Sequence, residues 1–260
     1  TLTSATDEKE YDGTALTNDN VTVGGEGFAD GEGAAYTVTG SQTLVGSSAN
    51  TFTYELNEGT KADNYTITKV EGTLTVTDRT TKYEITVEAN SDTAKYDGTE
   101  KSVSGLKQLT FEVEGQQYTV EGLSASASGT DAGEYVSEVT GDAVVKDAEG
   151  NDVTSQFTVN KKDGALTIEK RNVTLTSATD SKKYDGTPLT NGTVTVSGDG
   201  FAEGEGATYN VTGSQTIVGW SDNEFTYELN DGTNEANYDI TTKFGTLTIT
   251  NRDAKYEITV

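Results

Sequence analysis

Cysteine, histidine and methionine are absent from this chain, and proline occurs once. Without cysteine there is no disulfide, no thiolate zinc site and no cysteine nucleophile. Without histidine the usual general base and the commonest transition-metal ligand are missing. Positive charge is scarce: 18 Lys and Arg stand against 43 Asp and Glu, a net charge of -25 and a pI near 4.1. That balance repels nucleic acid and anionic lipid, so neither is expected as a partner. No apolar run approaches the ~20 residues of a membrane helix, so no membrane insertion is expected from this segment, and no signal-peptide pattern opens it. No phosphate loop, dinucleotide fingerprint or GxSxG elbow occurs, and the Gly-rich run Gly24 to Gly33 lacks the lysine of a phosphate loop. Neither an enzyme nor a cofactor is expected.

Threonine is abundant, with 47 residues among 260, and 29 Gly and 13 Tyr accompany it. Threonine suits the wet face of a strand and is mediocre in helices. Period-2 alternation runs through the chain. Phe52, Tyr54 and Leu56 alternate with Thr51, Thr53 and Glu55, and Leu74 and Val76 with Thr73, Thr75 and Thr77. Tyr83, Ile85 and Val87 repeat the pattern, as do Leu109, Phe111 and Val113. One apolar and one polar face per segment points to antiparallel strands. Only Phe28 to Ala34 suggests a helical turn. The fold class expected is all-β.

Self-comparison gives the organisation. Residues 1–87 align without a gap to 174–260, and 61 of those 87 positions are identical. The middle of the chain is a more distant copy. It has Tyr96-Asp97-Gly98-Thr99 where the flanking copies have Tyr11-Asp12-Gly13-Thr14 and Tyr184-Asp185-Gly186-Thr187. It ends GALTIEKR (164–171) where they end GTLTVTDR (72–79) and GTLTITNR (245–252). The expected domains are therefore copy A at 1–79, copy B at 80–171 and copy A′ at 172–252, with 253–260 opening a further B-type copy. No Gly/Ser or Pro-rich linker lies at Arg79 or Arg171, so the joints are strand to strand. Each copy is expected to own its core, as a small antiparallel β-sandwich-like or β-grasp-like domain in an elongated rod of monomeric protein.

The Asp-Gly pairs read as type I′ hairpin corners, with glycine at positive φ, the tyrosine inward and the threonine opening the next strand. A Lys-Tyr-Asp ligand cluster is the functional alternative. The Asp147, Glu149, Asn151, Asp152 loop offers hard oxygen ligands around a Gly turn, a calcium candidate that falls short of an EF-hand. Trp220, the only tryptophan, stands where copy A has Ser47. A position that takes either residue is expected at the surface, where an aromatic ring could stack on a sugar.

The set K-x-Y-D-G-T near each start, N/Q-Y/F-x-I/V-T late, then G-T/A-L-T-V/I and a closing Arg resembles the YDG/MBG-type repeats of large bacterial surface adhesins. The resemblance covers essentially the whole chain. It implies an exported, extracellular, cell-surface segment: a stalk that projects a distal binding region, or repeats that themselves bind host glycan or mucin. It carries over no ligand residues.

Overall fold

The computed structural model describes residues 1–260. The chain is all-β: strands joined by turns, with helix confined to single 3-10 turns at Ala62–Asn64, Thr154–Gln156 and Glu235–Asn237. Phe28 to Ala34 forms no helix; its Glu32 N–H closes a turn onto the Ala29 carbonyl at 2.9 Å. No helix is long and apolar enough to cross a membrane.

Two compact units form. One comprises Thr1–Glu88, Leu106–Ser124 and Thr140–Lys162, and the other Ala89–Gly105, Ala125–Val139 and Asp163–Val260. In the first unit, copy A supplies two small mixed sheets. Its entry sheet places Leu2–Ser4 between Val21–Val23, antiparallel, and Lys69–Val70, parallel. Its exit sheet places Gly72–Thr77 between Asp7–Glu10, parallel, and Gly46–Asn50, antiparallel. Ala34–Val38 and Phe52–Leu56 form an antiparallel pair beside them. Copy B contributes its own entry strands to this unit: Tyr83–Glu88 parallel to Phe157–Lys162, and the antiparallel set Thr110–Val113, Gln116–Ser124 and Thr140–Lys146.

The second unit repeats the scheme. The exit sheet of copy B sets Gly164–Glu169 between Asp92–Lys95, parallel, and Gly133–Ser137, antiparallel. Copy A′ sets Arg171–Ser177 between Val194–Gly198 and Tyr238–Lys243 as its entry sheet. Its exit sheet sets Thr246–Thr250 between Asp180–Lys183 and Gly219–Asp222. The parallel pairs qualify the antiparallel expectation. Alternation reports which side chains face inward, but both pairing directions produce it.

A stitch of polar groups ties the two sheets of copy A together. Ser4 Oγ donates to the Asn50 carbonyl at 2.6 Å and accepts the Gly72 N–H at 2.9 Å. Ser177, Asn223 and Gly245 copy it in A′ at 2.6 and 3.0 Å. This explains the glycine that opens each terminal strand. A β-carbon on Gly72 would run into the carbonyls of Ser4 and Ala5.

The cores correct the expectation that each copy owns its own. One cluster joins Tyr11, Leu16, Leu74 and Val76 of copy A to Ile85, Val87, Tyr118, Val120, Val145, Val153 and Phe157 of copy B. Another joins Tyr96, Leu166 and Ile168 of copy B to Val173, Leu175, Ala202, Phe225 and Tyr238 of copy A′. The exit sheet of one copy and the entry strands of the next bury each other's apolar faces. Burial of this kind, at about 25 cal/mol per Å², is the main force holding consecutive copies together.

Candidate functional site at the joints between copies

Two of the three Tyr-Asp-Gly corners, at Tyr11 and Tyr96, lie at these joints, and the third, at Tyr184, lies on the exit sheet of copy A′. Their glycines have φ of 77°, 81° and 81° at Gly13, Gly98 and Gly186, as expected. The corner is not a type I′ hairpin, however, because that turn needs positive φ at the aspartate too, and only Glu114 among non-glycine residues has it. Asp7–Glu10, which leads into the first corner, pairs with Gly72–Thr77 and not with the strand that follows. The two-residue hairpin loop with positive φ at both positions is instead Glu114-Gly115, at 50° and 82°, between Thr110–Val113 and Gln116–Ser124.

What builds the corner is the aspartate side chain. Asp12 Oδ1 accepts the Thr14 N–H at 2.8 Å, the Thr14 hydroxyl at 2.7 Å and Lys9 Nζ at 2.7 Å. Asp97 Oδ1 accepts from Thr99 in the same way, at 2.9 and 2.6 Å, and its Oδ2 accepts from Lys101 at 2.5 Å. Asp185 takes Thr187, at 2.9 and 2.7 Å, and Lys182 at 2.9 Å. The threonine therefore closes an Asx turn and does not open a strand. The lysine ammonium and threonine donors hold the Asp97 carboxyl well below the usual range. The Thr187 N–H, then the lysine and the threonine hydroxyl, do so for Asp185. The Lys-Tyr-Asp grouping is a self-satisfied turn: each aspartate spends its acceptors on its own loop.

Tyr11 and Tyr96 enter the shared cores. Tyr11 is fully buried, and burial pushes its phenol up. Tyr96 packs edge-on against Tyr238 with centroids 5.7 Å apart. Its hydroxyl donates to Glu205, which also accepts from Tyr238 at 2.9 Å. Burial, then that bond, push the Tyr96 phenol up to about 12.

The arginine that ends each copy reaches back to the carbonyl of that copy's corner tyrosine. Arg79 donates to the Tyr11 carbonyl at 3.0 Å, the Tyr83 hydroxyl at 2.8 Å and the Thr81 carbonyl at 2.9 Å. Its guanidinium stacks 3.8 Å from the centre of the Tyr83 ring. Arg171 reaches the Tyr96 carbonyl at 3.2 Å and the Gly200 carbonyl at 2.7 Å. Arg252 takes the Tyr184 carbonyl at 3.3 Å and the Tyr256 hydroxyl at 2.9 Å. The fork of donors on a flat cation suits this role, which lysine cannot fill. Sequence reading marked these arginines only as punctuation. Their recurrence two to four residues before a tyrosine or valine of the next alternating segment was the available signal.

The entry face of copy A carries an open cleft of about 490 Å³, lined by Leu2, Glu26, Gly27, Phe28 and Tyr65 among others. Its Phe28–Tyr65 pair, 5.1 Å between centroids at 62°, has the geometry of Phe201–Tyr238 in copy A′. In copy A′ the Tyr96 ring of copy B sits against that pair.

The remaining candidates behave separately. Asp147 accepts from the N–H groups of Glu149 and Asn151 at 3.1 and 2.8 Å, and from Asn151 Nδ2 at 2.9 Å. Asp152 accepts from Thr154 N–H at 3.0 Å and its hydroxyl at 2.6 Å. These carboxylates shape the loop, and no group of three or more acidic side chains converges on a metal position. Trp220 is 70% exposed on the strand Gly219–Asp222, opposite Thr248. It points away from the face that buries Leu247 and Ile249.

No family model, curated protein or solved structure matches this chain.

Proposed function

We propose that the chain is a structural spacer segment of a bacterial surface adhesin, outside the cell, projecting a distal binding region carried elsewhere in that protein. One observation supports this above others: in every copy the first two strands lie beside the last two and parallel to them, the first against the penultimate strand and the second against the last. Asp7–Glu10 lies against Gly72–Thr77, Asp92–Lys95 against Gly164–Glu169, and Asp180–Lys183 against Thr246–Thr250. Tension enters a copy along its first two strands and leaves along its last two. Pulled in opposite senses, parallel neighbours slide past one another, so all their hydrogen bonds share the load at once. An unzipped hairpin breaks them singly. Shared cores at the joints add to this, since each buries apolar side chains of two consecutive copies. The repeat resemblance agrees with the reading, which assigns the segment no catalysis.

Single-molecule pulling from residues 1 and 260 tests it, because forced unfolding is governed by the barrier along the pulling direction. The expected trace shows cooperative rupture at forces well above those of an unzipped hairpin. Smooth extension at low force would remove the reading.

A second reading, that the repeats themselves bind host glycan or mucin, is favoured by Trp220 and its exposed neighbours Ile217 and Val218, 70% and 46% exposed. Glycan-array binding by the wild type that is lost in Trp220→Ser would establish it in place of the spacer.

A further inference from the structure

The exit sheets of copies A and A′ have nearly the same sequence and different surroundings. In copy A, Tyr11 and Leu44 lie against side chains of copy B. Their counterparts in copy A′ are half-buried Tyr184 and Ile217, which is 70% exposed. A β-carbon on Gly13 would stand 2.5 Å from the Tyr118 hydroxyl and 2.9 Å from Gln116, both of copy B. One on Gly186 would meet nothing within 4 Å. Leu189, Leu247 and Ile249 form a small cluster with Tyr184 that no entry strand covers.

The segment after Arg252 matches the one after Arg79. Lys255-Tyr256-Glu257-Ile258-Thr259-Val260 repeats Lys82 to Val87 without a change. Arg252 already grips Tyr256 as Arg79 grips Tyr83, with the guanidinium 4.0 Å from the ring centre against 3.8 Å. Yet Ile258 is 85% exposed where Ile85 is 5% exposed, and Val260 is bare where Val87 is sealed.

We infer that the exit face of copy A′, bounded by Tyr184, Leu189, Ile217, Leu247 and Ile249, is a docking site for the entry strands of a further B-type repeat. The occupant must offer what copy B offers to copy A. These are an aliphatic strand equivalent to Ile85 and Val87, its parallel neighbour carrying a phenylalanine like Phe157, and a tyrosine like Tyr118 seated beneath the corner glycine. The inference rests on the spacer reading only for its purpose; the docking itself concerns the two faces.

The test extends the full chain past Val260 by a second Glu88–Arg171 segment, so that copy A′ is followed by a B-type repeat in the register of the first joint. Hydrogen exchange is followed at Thr246–Thr250 and at Ala254–Val260. The expected result is exchange slowed at least tenfold at both, relative to the unextended chain. Gly186→Asn should leave the unextended chain nearly unaltered, since asparagine tolerates positive φ and the space there is free. In the extended chain it should abolish the added protection, because its β-carbon meets the incoming tyrosine. An appended segment that is itself protected without slowing Thr246–Thr250 would overturn the inference. So would one that stays unprotected on an intact copy A′, or protection indifferent to Gly186→Asn. Glycan binding by the same protein would count against the spacer reading and leave the docking result untouched.

Discussion

The hydroxyl of Tyr118 in copy B lies 2.5 Å from the point where a β-carbon on Gly13 of copy A would stand. Glycine is thus required twice at that corner, for its φ of 77° and for the tyrosine beneath it. At Gly98 the nearest atoms, on Glu205 and Ala202, are 3.6 and 3.9 Å away. Asparagine separates the two demands, because it accepts positive φ but brings a β-carbon. Gly13→Asn should cost about 2 kcal/mol, as overpacking does. Gly98→Asn and Gly186→Asn should each cost under about 1 kcal/mol, a backbone effect alone. Urea denaturation of the three variants is the measurement, and equal losses at all three would remove the packing argument.

Tyr11 belongs to copy A by sequence and to a core completed by copy B. Tyr11→Ala should cost on the order of 3 kcal/mol, as large-to-small changes at buried aromatics do. It should also speed hydrogen exchange in Tyr83–Glu88 and Phe157–Lys162, which lie across Arg79. Tyr184→Ala, at a half-buried ring, should cost about 1 kcal/mol. Loss confined to copy A after Tyr11→Ala would restore the picture of one core per copy.

Much of this fold was legible in the sequence, for reasons that also mark where reading stopped. Strands such as Phe52–Leu56 and Gly72–Thr77 show in alternation because one face is dry. That Gly72–Thr77 takes Asp7–Glu10 as a parallel neighbour does not show, since a side chain's inward or outward position is the same for either direction. The shared core was hidden for a similar reason. Leu74 and Val76 must be covered by something apolar, and nothing in their pattern says whether copy A or copy B supplies it. Gly13, Gly98 and Gly186 were recognisable as positive-φ positions. The Asx turn was not, because Asp-Gly serves hairpins equally well. Asn64 to Thr68 has the same pattern as the paired strands Phe157–Lys162 and Tyr238–Lys243, but in copy A only Lys69–Val70 pairs.

The acidic loop at Asp147 to Asp152 permits an ion test. Asp147 already accepts three hydrogen bonds from Glu149 and Asn151, so a cation would have to displace them. Calcium and magnesium at equal ionic strength should therefore raise the melting temperature equally, by screening the excess of negative charge. A rise produced by micromolar calcium alone, and lost in Asp147→Asn, would show a specific site there.

Tyr96 makes the second joint sensitive to alkali. Its phenol is pushed up to about 12 by burial and by the hydrogen bond to Glu205, against about 10 in an unfolded chain. A proton held more tightly in the folded state stabilises that state fully below pH ~10. The stabilisation is lost as pH rises through the folded value. Ionised, the phenolate would face Glu205, whose other oxygen is held by Tyr238, with only the Arg171 guanidinium nearby on the Tyr96 carbonyl. Tyr96→Phe keeps the ring against Tyr238 and removes the titrating hydroxyl. At pH 8 it should be less stable than wild type by about 1 kcal/mol, the usual worth of one such bond. Between pH 10 and 12 the wild type should lose stability more steeply than the variant, so the gap between them narrows. Urea midpoints followed by circular dichroism over that range measure it. Two curves that fall in parallel would mean that the Tyr96 hydroxyl does not hold the joint.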